Sequence, residues 1–213
     1  MMAGHDDIPK ERQLISASQA GNLEAFNQLV TAYQSQVYSL ACRLMGEAEA
    51  AADATQEAFL SCYRHLRDFR GGSFRAFLFR IVTNACYDEF RRRQRKPTLS
   101  LDDLSSSESE GNEPDGQPVL SDPGETPEEA TSRHELRRAL EDCLLQLSLE
   151  QRAVVILADV QAMGYAEVAE SLKIALGTVK SRLARARANL RDCLSSQGEL
   201  LPSEFRLEEE PAP

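Results

Sequence analysis

The sequence predicts an all-α protein of two small helical domains, a helical bundle followed by a helix-turn-helix domain, joined by a flexible acidic linker. Three observations lead to this prediction. Apolar residues recur at intervals of three and four over two long stretches, which is the periodicity of amphipathic helices. No stretch shows the alternation typical of a half-buried β-strand. Between the two stretches, residues 97–132 contain ten acidic residues and neither lysine nor arginine.

These patterns divide the 213 residues into parts of different character. The segment between the two helical stretches is rich in Ser, Glu, Asp, Gly and Pro, and it cannot bury enough apolar surface to offset the entropy lost on ordering. The predicted parts are a flexible lead over 1–13, a first domain over 14–96, the flexible acidic linker over 97–132, a second domain over 133–194 and a disordered acidic tail over 195–213.

The formal net charge of −10 at pH 7 is unevenly distributed along the chain. The ten acids of the linker alone equal it. Residues 14–96 hold 11 basic against 8 acidic side chains, and residues 133–196 hold 10 against 8. Both predicted domains are therefore mildly basic and remain compatible with a nucleic-acid partner, although the whole chain is acidic.

Several function classes are disfavoured by what the sequence lacks. No apolar run approaches the roughly 18 residues of a membrane-spanning helix, and the N-terminus has no apolar export signal, so we expect no membrane insertion and a cytoplasmic location. No GxSxG, P-loop or HExxH motif is present. We therefore predict no catalytic residue, no metal site and no cofactor, and we expect that the protein is not an enzyme.

The five cysteines occur singly, without a CxxC pair. An odd number without metal-ligand spacing favours reduced, mostly buried thiols in a cytoplasm. A redox or zinc role is the alternative. The residues concerned are Cys42, Cys62, Cys86, Cys143 and Cys193.

The first domain begins with two helices and a glycine-containing corner. Asn22 can cap a helix that Gly46 ends, because Asn accepts from free backbone N–H groups and Gly tolerates a left-handed backbone. A second helix is predicted from about Glu47 to Leu66, followed by a corner over 67–72.

The third helix, which Ser73 can cap, ends in a strongly basic run over 91–96. Such a run favours the helix dipole and solvent, which contributes only tenths of a kcal/mol, or it binds phosphate. Five cations in six residues exceed what capping requires, so phosphate binding is the preferred interpretation. One face of this helix also carries a polar and aromatic stripe, formed by Arg80, Asn84, Tyr87, Asp88 and Arg91.

The second domain is predicted to begin with a helix near Glu128 and to continue from a capping box at Ser148. Over 165–191 two amphipathic stripes flank a short break, which is the pattern of a helix-turn-helix. The outward side of its second helix combines cations with short polar groups, a mixture that suits a major groove. A solvated basic face on an ordinary bundle helix is the alternative. The outward residues are Thr178, Lys180, Ser181, Arg182, Arg185 and Arg187.

Two blocks of the sequence resemble one known family. The segments DATQEAF (53–59) and FRGGSFRAFLFRI (69–81) are similar to conserved region 2 of bacterial extracytoplasmic-function sigma factors, of the sigma-70 family. The segments LSLEQR (147–152), YAEVA (165–169) and GTVKSRLARAR (177–187) are similar to region 4 of that family. The resemblance covers roughly 22–95 and 135–193, in the family's order.

The resemblance implies a subunit that binds core RNA polymerase, through its β′ clamp and β subunits, and directs it to promoter DNA, which it helps to melt. A stress or envelope-response regulon is implied as the target. An anti-sigma protein is implied as a further partner, which could hold the chain at the membrane, and no homo-oligomer is expected.

The resemblance also assigns roles to residues that match the family's motifs. The polymerase contact is assigned to Asp53, Gln56 and Glu57. The contact with the −10 element is assigned to Arg67, Phe69, Arg70, Arg75, Arg80, Asn84, Asp88, Arg91 and Arg92. The contact with the −35 element is assigned to Thr178, Lys180, Ser181, Arg182, Ala184 and Arg185.

The chain departs from the family pattern at several positions. Lys173 and Ala175 occupy the helix-turn-helix corner, where the family usually has Gly and then Pro or Ser. A non-glycine residue in a left-handed conformation costs about 1 kcal/mol, so we expect a slightly strained or differently shaped corner. Phe77 replaces a common tryptophan, and Ala184 replaces a bulkier residue. These changes bear on which promoter sequence is read.

Two other functions are considered. A helix-turn-helix regulator that binds an operator as a dimer would leave the whole first domain and the acidic face around Asp53 unexplained. An interaction protein whose basic domains are wrapped by a partner is the second alternative, and it is compatible with control by an anti-sigma protein.

Overall fold

The computed structural model describes residues 7–95 and 127–196, which belong to two compact units on either side of residue 117. Both described ranges are helical and contain no strand, so the all-α prediction is confirmed. No helix among these residues is both long and apolar enough for a membrane span. The first unit contains α1 (Asp7–Gln19), α2 (Leu23–Met45), α3 (Ala48–His65), a 3₁₀ turn (Leu66–Asp68) and α4 (Phe74–Arg95). The second contains α5 (Pro127–Gln146), α6 (Leu149–Val155), a π-helical turn (Ile156–Val160), α7 (Tyr165–Leu172) and α8 (Leu176–Ser196).

Local capping sets the helix ends of the first unit, as the sequence predicts. The Asn22 side chain accepts a hydrogen bond from the Ala25 N–H at 3.1 Å. Gly46 ends α2 in a left-handed conformation, φ 75°, and its N–H donates to the Cys42 carbonyl at 2.8 Å. Ser73 accepts from the Ala76 N–H at 3.2 Å at the start of α4.

The core of the first unit lies where α2 packs against α3 and α4. Its members come from apolar stripes of helical periodicity, and burial of such side chains contributes roughly 1.5–3 kcal/mol each before entropy is counted. The largest fully buried ones are Val37, Leu40, Leu44, Leu66, Leu78, Phe79 and Val82.

Helix α1 corrects the prediction of a flexible lead over 1–13, because the helix begins at Asp7. Its support is tertiary: Ile15 is buried, and the Gln19 amide donates to the carbonyls of both Leu66 and Phe69 at 2.9 Å. These partners lie far along the chain, so periodicity alone could not reveal them. Residues 1–6 lie outside the described residues.

The second unit is built around α8, which packs against α5, α6 and α7. Ser148 accepts from the Gln151 N–H at 3.4 Å, which is one of the two bonds of the predicted capping box. The Gln151 side chain accepts from Asn189 instead of supplying the second bond. The largest fully buried side chains are Val154, Ile156, Leu157, Val168 and Val179.

The outer boundaries of the second unit also differ from prediction. Helix α5 begins at Pro127, which confirms the helix start predicted near Glu128 but places it before the predicted domain boundary at 133. Helix α8 extends to Ser196, inside the predicted tail over 195–213. Proline is favoured in the first helical turn, and acidic residues after it suit the helix dipole, so the sequence supports this earlier start. The rest of the linker, 97–126, and of the tail, 197–213, lie outside the described residues.

The prediction of five reduced cysteines is wrong for two of them. Cys143 on α5 and Cys193 on α8 form a disulfide, with their Cα atoms 5.8 Å apart. They are 50 residues apart in the sequence, so only the packing of α5 on α8 brings them together. Cys62 and Cys86 are buried thiols, as predicted, and burial raises the pKa of each to about 12.

Candidate nucleic-acid interface

The outward side of α8 carries the predicted −35 residues, and we call it the recognition face. The opposite side of the helix is buried through Val179, Leu183, Ala186 and Leu190. Because the helix repeats every 3.6 residues, this stripe turns the other positions outward together. The recognition face consists of Thr178, Lys180, Ser181, Arg182, Ala184 and Arg185, of which Thr178 and Arg182 are half-buried and the others exposed.

The corner before α8 sets the direction of the recognition face. Lys173 has left-handed backbone angles, φ 52° and ψ 44°, and the Ile174 N–H donates to the Ala169 carbonyl at 3.0 Å. At the start of α8 the Thr178 N–H donates to the Ala175 carbonyl at 2.9 Å. The expected strain is therefore present at Lys173, where a left-handed conformation costs a side-chain-bearing residue roughly 1–2 kcal/mol.

Arg187, also predicted on the outward side, has a structural partner. Its guanidinium donates to both carboxylate oxygens of Asp159, at 3.0 and 2.6 Å. This hydrogen-bonded ion pair raises the pKa of Arg187 above its usual range. The pair ties α8 to the π-helical turn and thus helps to fix the recognition helix.

Arg152 is a residue whose role the sequence did not reveal. Its side chain is buried and donates to the carbonyls of Leu144, Leu145 and Leu147, at 2.9, 2.5 and 3.1 Å. These groups lie at the C-terminal end of α5, where helical carbonyls lack intrahelical partners. Burial lowers the pKa of Arg152, but the three carbonyls compensate the buried charge. The sequence feature that could have indicated this role is the position of the arginine, a few residues after the predicted end of a helix whose last carbonyls need donors.

The first unit places a glycine corner beside an open groove. Gly71 and Gly72 have φ values of +107° and +93°, a conformation that side-chain-bearing residues rarely adopt. The Phe69 ring packs on Phe74 and Phe77, with centroid distances of 5.9 and 5.1 Å. The groove has a volume of about 720 Å³ and is lined by residues of α1, of the corner and of the start of α4, including Glu11, Arg12, Gln19, Phe69, Arg70 and Arg75.

The residues assigned to the −10 element are spread over the corner and α4. Arg67, Phe69 and Arg70 precede the helix, and Arg75 lies in its first turn on another face. The other five share one side of α4, which we call the α4 strip and which rises by roughly 18 Å: Arg80, Asn84, Asp88, Arg91 and Arg92. Arg75 lies 5.0 Å from the Phe79 ring centre and Arg80 lies 5.3 Å from that of Phe77, both as cation–π contacts. The exposed members are Arg67, Arg70, Asn84, Asp88, Arg91 and Arg92, whereas Phe69, Arg75 and Arg80 are half-buried.

The basic end of α4 is paired with acids of the same unit. Arg91 lies 3.6 Å from Asp88, and Arg92 and Arg93 contact Glu89 at 2.7 and 2.9 Å. Hydrogen bonds from Arg92 and Arg93 hold the pKa of Glu89 below its usual range. Exposed pairs contribute at most about 1 kcal/mol, so a phosphate can replace the carboxylate as partner.

The predicted polymerase contact lies on the exposed side of α3. Asp53, Gln56 and Glu57 are all exposed, and we call them the acidic face. Glu57 pairs with Arg64 at 3.3 Å. The apolar side chains of Leu60 and Tyr63 are exposed on the same helix. A polar face beside exposed apolar groups is typical of a protein-binding surface.

Comparison with known proteins identifies the family of both units. Residues 29–96 match the family model of sigma-70 region 2, and residues 137–190 match that of sigma-70 region 4. The chain is 36% identical to the ECF RNA polymerase sigma factor SigM of Mycobacterium tuberculosis, over 84% of the chain and 82% of SigM. It is 33% identical to the ECF RNA polymerase sigma-E factor of Escherichia coli K12, over 83% of the chain and 90% of that protein.

Two solved structures resemble the fold. CnrH in complex with the cytosolic domain of CnrY gives a TM-score of 0.61 at 25% identity, covering 87% of the chain and 97% of CnrH. The sigma factor RpoE of Bartonella quintana, in complex with the anti-sigma factor NepR, gives 0.59 at 25% identity, covering 79% of the chain and 96% of RpoE.

Proposed function

The chain belongs to the extracytoplasmic-function sigma factors of the sigma-70 family, and from that premise we propose how its surfaces divide the work of promoter recognition. It directs RNA polymerase to promoters in transcription initiation. The recognition face of the second unit reads the −35 element, the α4 strip of the first unit holds the −10 element, and the acidic face of α3 binds core polymerase.

The observation that carries this proposal is the recognition face itself. Its side chains lie on one side of a helix whose other side is fully committed to the core. A major groove about 12 Å wide admits such a helix. Arg182 and Arg185 can donate to base edges or phosphates, while Lys180 is a phosphate ligand. Ala184 leaves room for a close approach to a thymine methyl group.

The assignment of the −10 element to the first unit is supported by the length and chemistry of the α4 strip. A run of arginines and an asparagine over roughly 18 Å can follow one DNA strand along its backbone. The groove beside Gly71 and Gly72 offers space next to half-buried Phe69. An unstacked base costs a few kcal/mol, which stacking and hydrogen bonds in such a place can offset.

Binding of core polymerase by the acidic face is supported by charge and exposure. Asp53, Gln56 and Glu57 are turned outward by the buried alanines of α3 and suit a basic or polar partner surface. The site on the polymerase is inferred from the family to be the β′ clamp, with further contacts to β.

Control by an anti-sigma factor is a further part of the proposal. The solved structure of RpoE is a complex with the anti-sigma factor NepR. Our chain aligns with nearly the whole of RpoE, so the same kind of partner can cover it. We infer a cytoplasmic protein, held at the membrane only through such a partner, with a stress or envelope-response regulon.

Transcription in vitro with purified core polymerase tests the proposed function. The expected result is initiation at defined start sites that requires both the chain and core polymerase, and co-purification of the two. A dimeric operator-binding regulator predicts the opposite: tight binding of duplex DNA by the chain alone and no association with core polymerase. That outcome would refute the proposal.

A further inference from the structure

The bridge between α5 and α8 joins two cysteines that the proposed promoter contacts do not use. Cys143 lies in the last turn of α5 and is 1% exposed, while Cys193 is half-buried near the end of α8. Their Cα separation of 5.8 Å falls within the range of about 4.4–6.8 Å that a disulfide spans. The pair is therefore positioned to exist either as a bridge or as two adjacent thiols.

The other cysteines cannot substitute for this pair. Cys42, Cys62 and Cys86 all belong to the first unit and remain thiols. Burial raises the pKa of Cys62 and Cys86 to about 12, which leaves almost no reactive thiolate at neutral pH. Cys193 is partly accessible, and the Gln146 side-chain oxygen lies 3.6 Å from its sulfur. In the reduced state this oxygen can accept from the Cys193 thiol, so both states have a defined partner.

The position of the bridge indicates what it controls. Helix α5 packs chiefly on α8, and its buried residues are Ala139, Cys143 and Leu144, whereas its residues 131–135 are exposed. The recognition face lies in the first turns of α8, away from Cys193. The bond therefore governs how firmly α5 is held to the unit and leaves the DNA-reading side chains untouched.

We propose that Cys143 and Cys193 form a reversible thiol–disulfide pair, whose oxidation fastens α5 to α8 and raises the thermal stability of the second unit. Reversibility rests on the proposed cytoplasmic function, because disulfides in such a compartment are usually transient or redox-sensing. The closed loop spans 50 residues, long enough for a large stabilising effect.

A small disulfide such as oxidised glutathione can serve as the oxidant that converts the two thiols into the bridge. The Cys193 thiolate attacks one glutathione sulfur and forms a mixed disulfide, and one glutathione thiol leaves with a proton. The Cys143 thiolate then attacks the Cys193 sulfur and displaces the second glutathione. Two protein thiols lose two electrons and two protons, and one oxidised glutathione becomes two glutathione thiols. An excess of reduced glutathione or a dithiol reverses both steps.

Counting thiols on the full chain tests the pairing directly. The protein is equilibrated in oxidised or reduced glutathione, quenched with acid, unfolded with an alkylating reagent and weighed by mass spectrometry. The wild type should take up three alkyl groups when oxidised and five when reduced. Cys193→Ser should take up four in both buffers, and the control Cys42→Ser should take up two and four. Five alkyl groups on the oxidised wild type would overturn the proposal.

Thermal melting of the same samples tests the effect on stability. Reduction should lower the midpoint temperature of unfolding of the second unit by about 10 °C or more in the wild type and in Cys42→Ser. In Cys193→Ser the transition should be the same in both buffers, and Cys143→Ala guards against a local effect of the serine. An unchanged transition in the wild type would overturn the proposal. Neither measurement uses DNA or polymerase, so failure here is distinct from failure of the proposed function.

Discussion

The two units of this sigma factor are stabilised in different ways. In the first unit, four helices share a core of fully buried apolar side chains. The second unit also has an apolar core, and it adds the Cys143–Cys193 bridge, the buried Arg152 and the exposed Arg187–Asp159 pair. A small unit buries a smaller fraction of its surface, so specific polar and covalent ties carry more of its stability.

Left-handed backbone positions are also distributed differently. Among the described residues, those of the first unit are Gly21, Gly46, Gly71 and Gly72, whereas those of the second are Ala162 and Lys173. Glycine adopts this conformation without steric cost, and the other residues do not. The second unit thus contains backbone strain next to α8, the helix proposed to read DNA, and its bridge, ion pair and buried arginine offset that strain.

The largest expected effect is the loss of Arg152. Arg152→Ala removes the guanidinium that donates to three carbonyls at the end of α5, and we expect the second unit to lose about 3 kcal/mol of unfolding free energy. Urea denaturation followed by circular dichroism measures this loss. Arg191→Ala, at an exposed pair 3.5 Å from Asp192, is the matched control and should change stability by less than about 0.5 kcal/mol. Equal effects of the two variants would contradict the structural role of Arg152.

The proposed division of labour predicts distinct transcription defects. Arg182→Ala should reduce output about tenfold at promoters that depend on a −35 element, because it removes a contact worth roughly 1–3 kcal/mol. Asp53→Ala should reduce output at all promoters alike. In vitro transcription on templates with and without a −35 element separates the two patterns. The controls are exposed Arg138→Ala and Glu49→Ala, and identical behaviour of Arg182→Ala and Asp53→Ala would refute the division.

A pair of opposite substitutions tests the contrast in backbone strain. Lys173→Gly should stabilise the second unit by about 0.5 kcal/mol. Glycine relieves the strain of the left-handed backbone, but it also raises the entropy of the unfolded chain, which offsets part of the gain. Gly72→Ala should destabilise the first unit by about 1 kcal/mol through backbone strain alone, since an added Cβ meets no atom within 4 Å. Urea midpoints of the two transitions measure both changes. A stabilised Gly72→Ala variant would show that the contrast is wrong.

The smallest effect concerns pH and the basic end of α4. The pKa of Glu89 is lowered by its hydrogen bonds to Arg92 and Arg93, so its stabilising effect is present above the unfolded pKa of about 4.3. This effect disappears as the pH falls through the lower pKa of the folded state. We expect a loss of less than about 1 kcal/mol in the first unit, since both arginines are substantially exposed. Urea denaturation midpoints measured over a range of pH test this expectation. In Glu89→Gln the midpoint of the first unit should depend less on pH below about 4.3 than it does in the wild type.

The sequence by itself determined the features that depend on near neighbours. The caps at Asn22, Ser73 and Ser148 and the glycine end at Gly46 form as predicted, because each involves atoms within one helical turn. The helix-turn-helix was likewise readable from its periodicity, and the strain at Lys173 was expected because the family it resembles usually has Gly at that corner.

Only the tertiary structure decided which distant groups meet. Helix α1 is held by Gln19 reaching the glycine corner, Arg187 is turned to Asp159, and Arg152 is buried against the end of α5. Cys143 finds Cys193 because α5 packs on α8. The periodicity of a sequence shows which face of its helix a residue occupies but not which group lies opposite. In this protein the opposite group determines whether an arginine side chain is left exposed or forms an ion pair or hydrogen bonds within the unit.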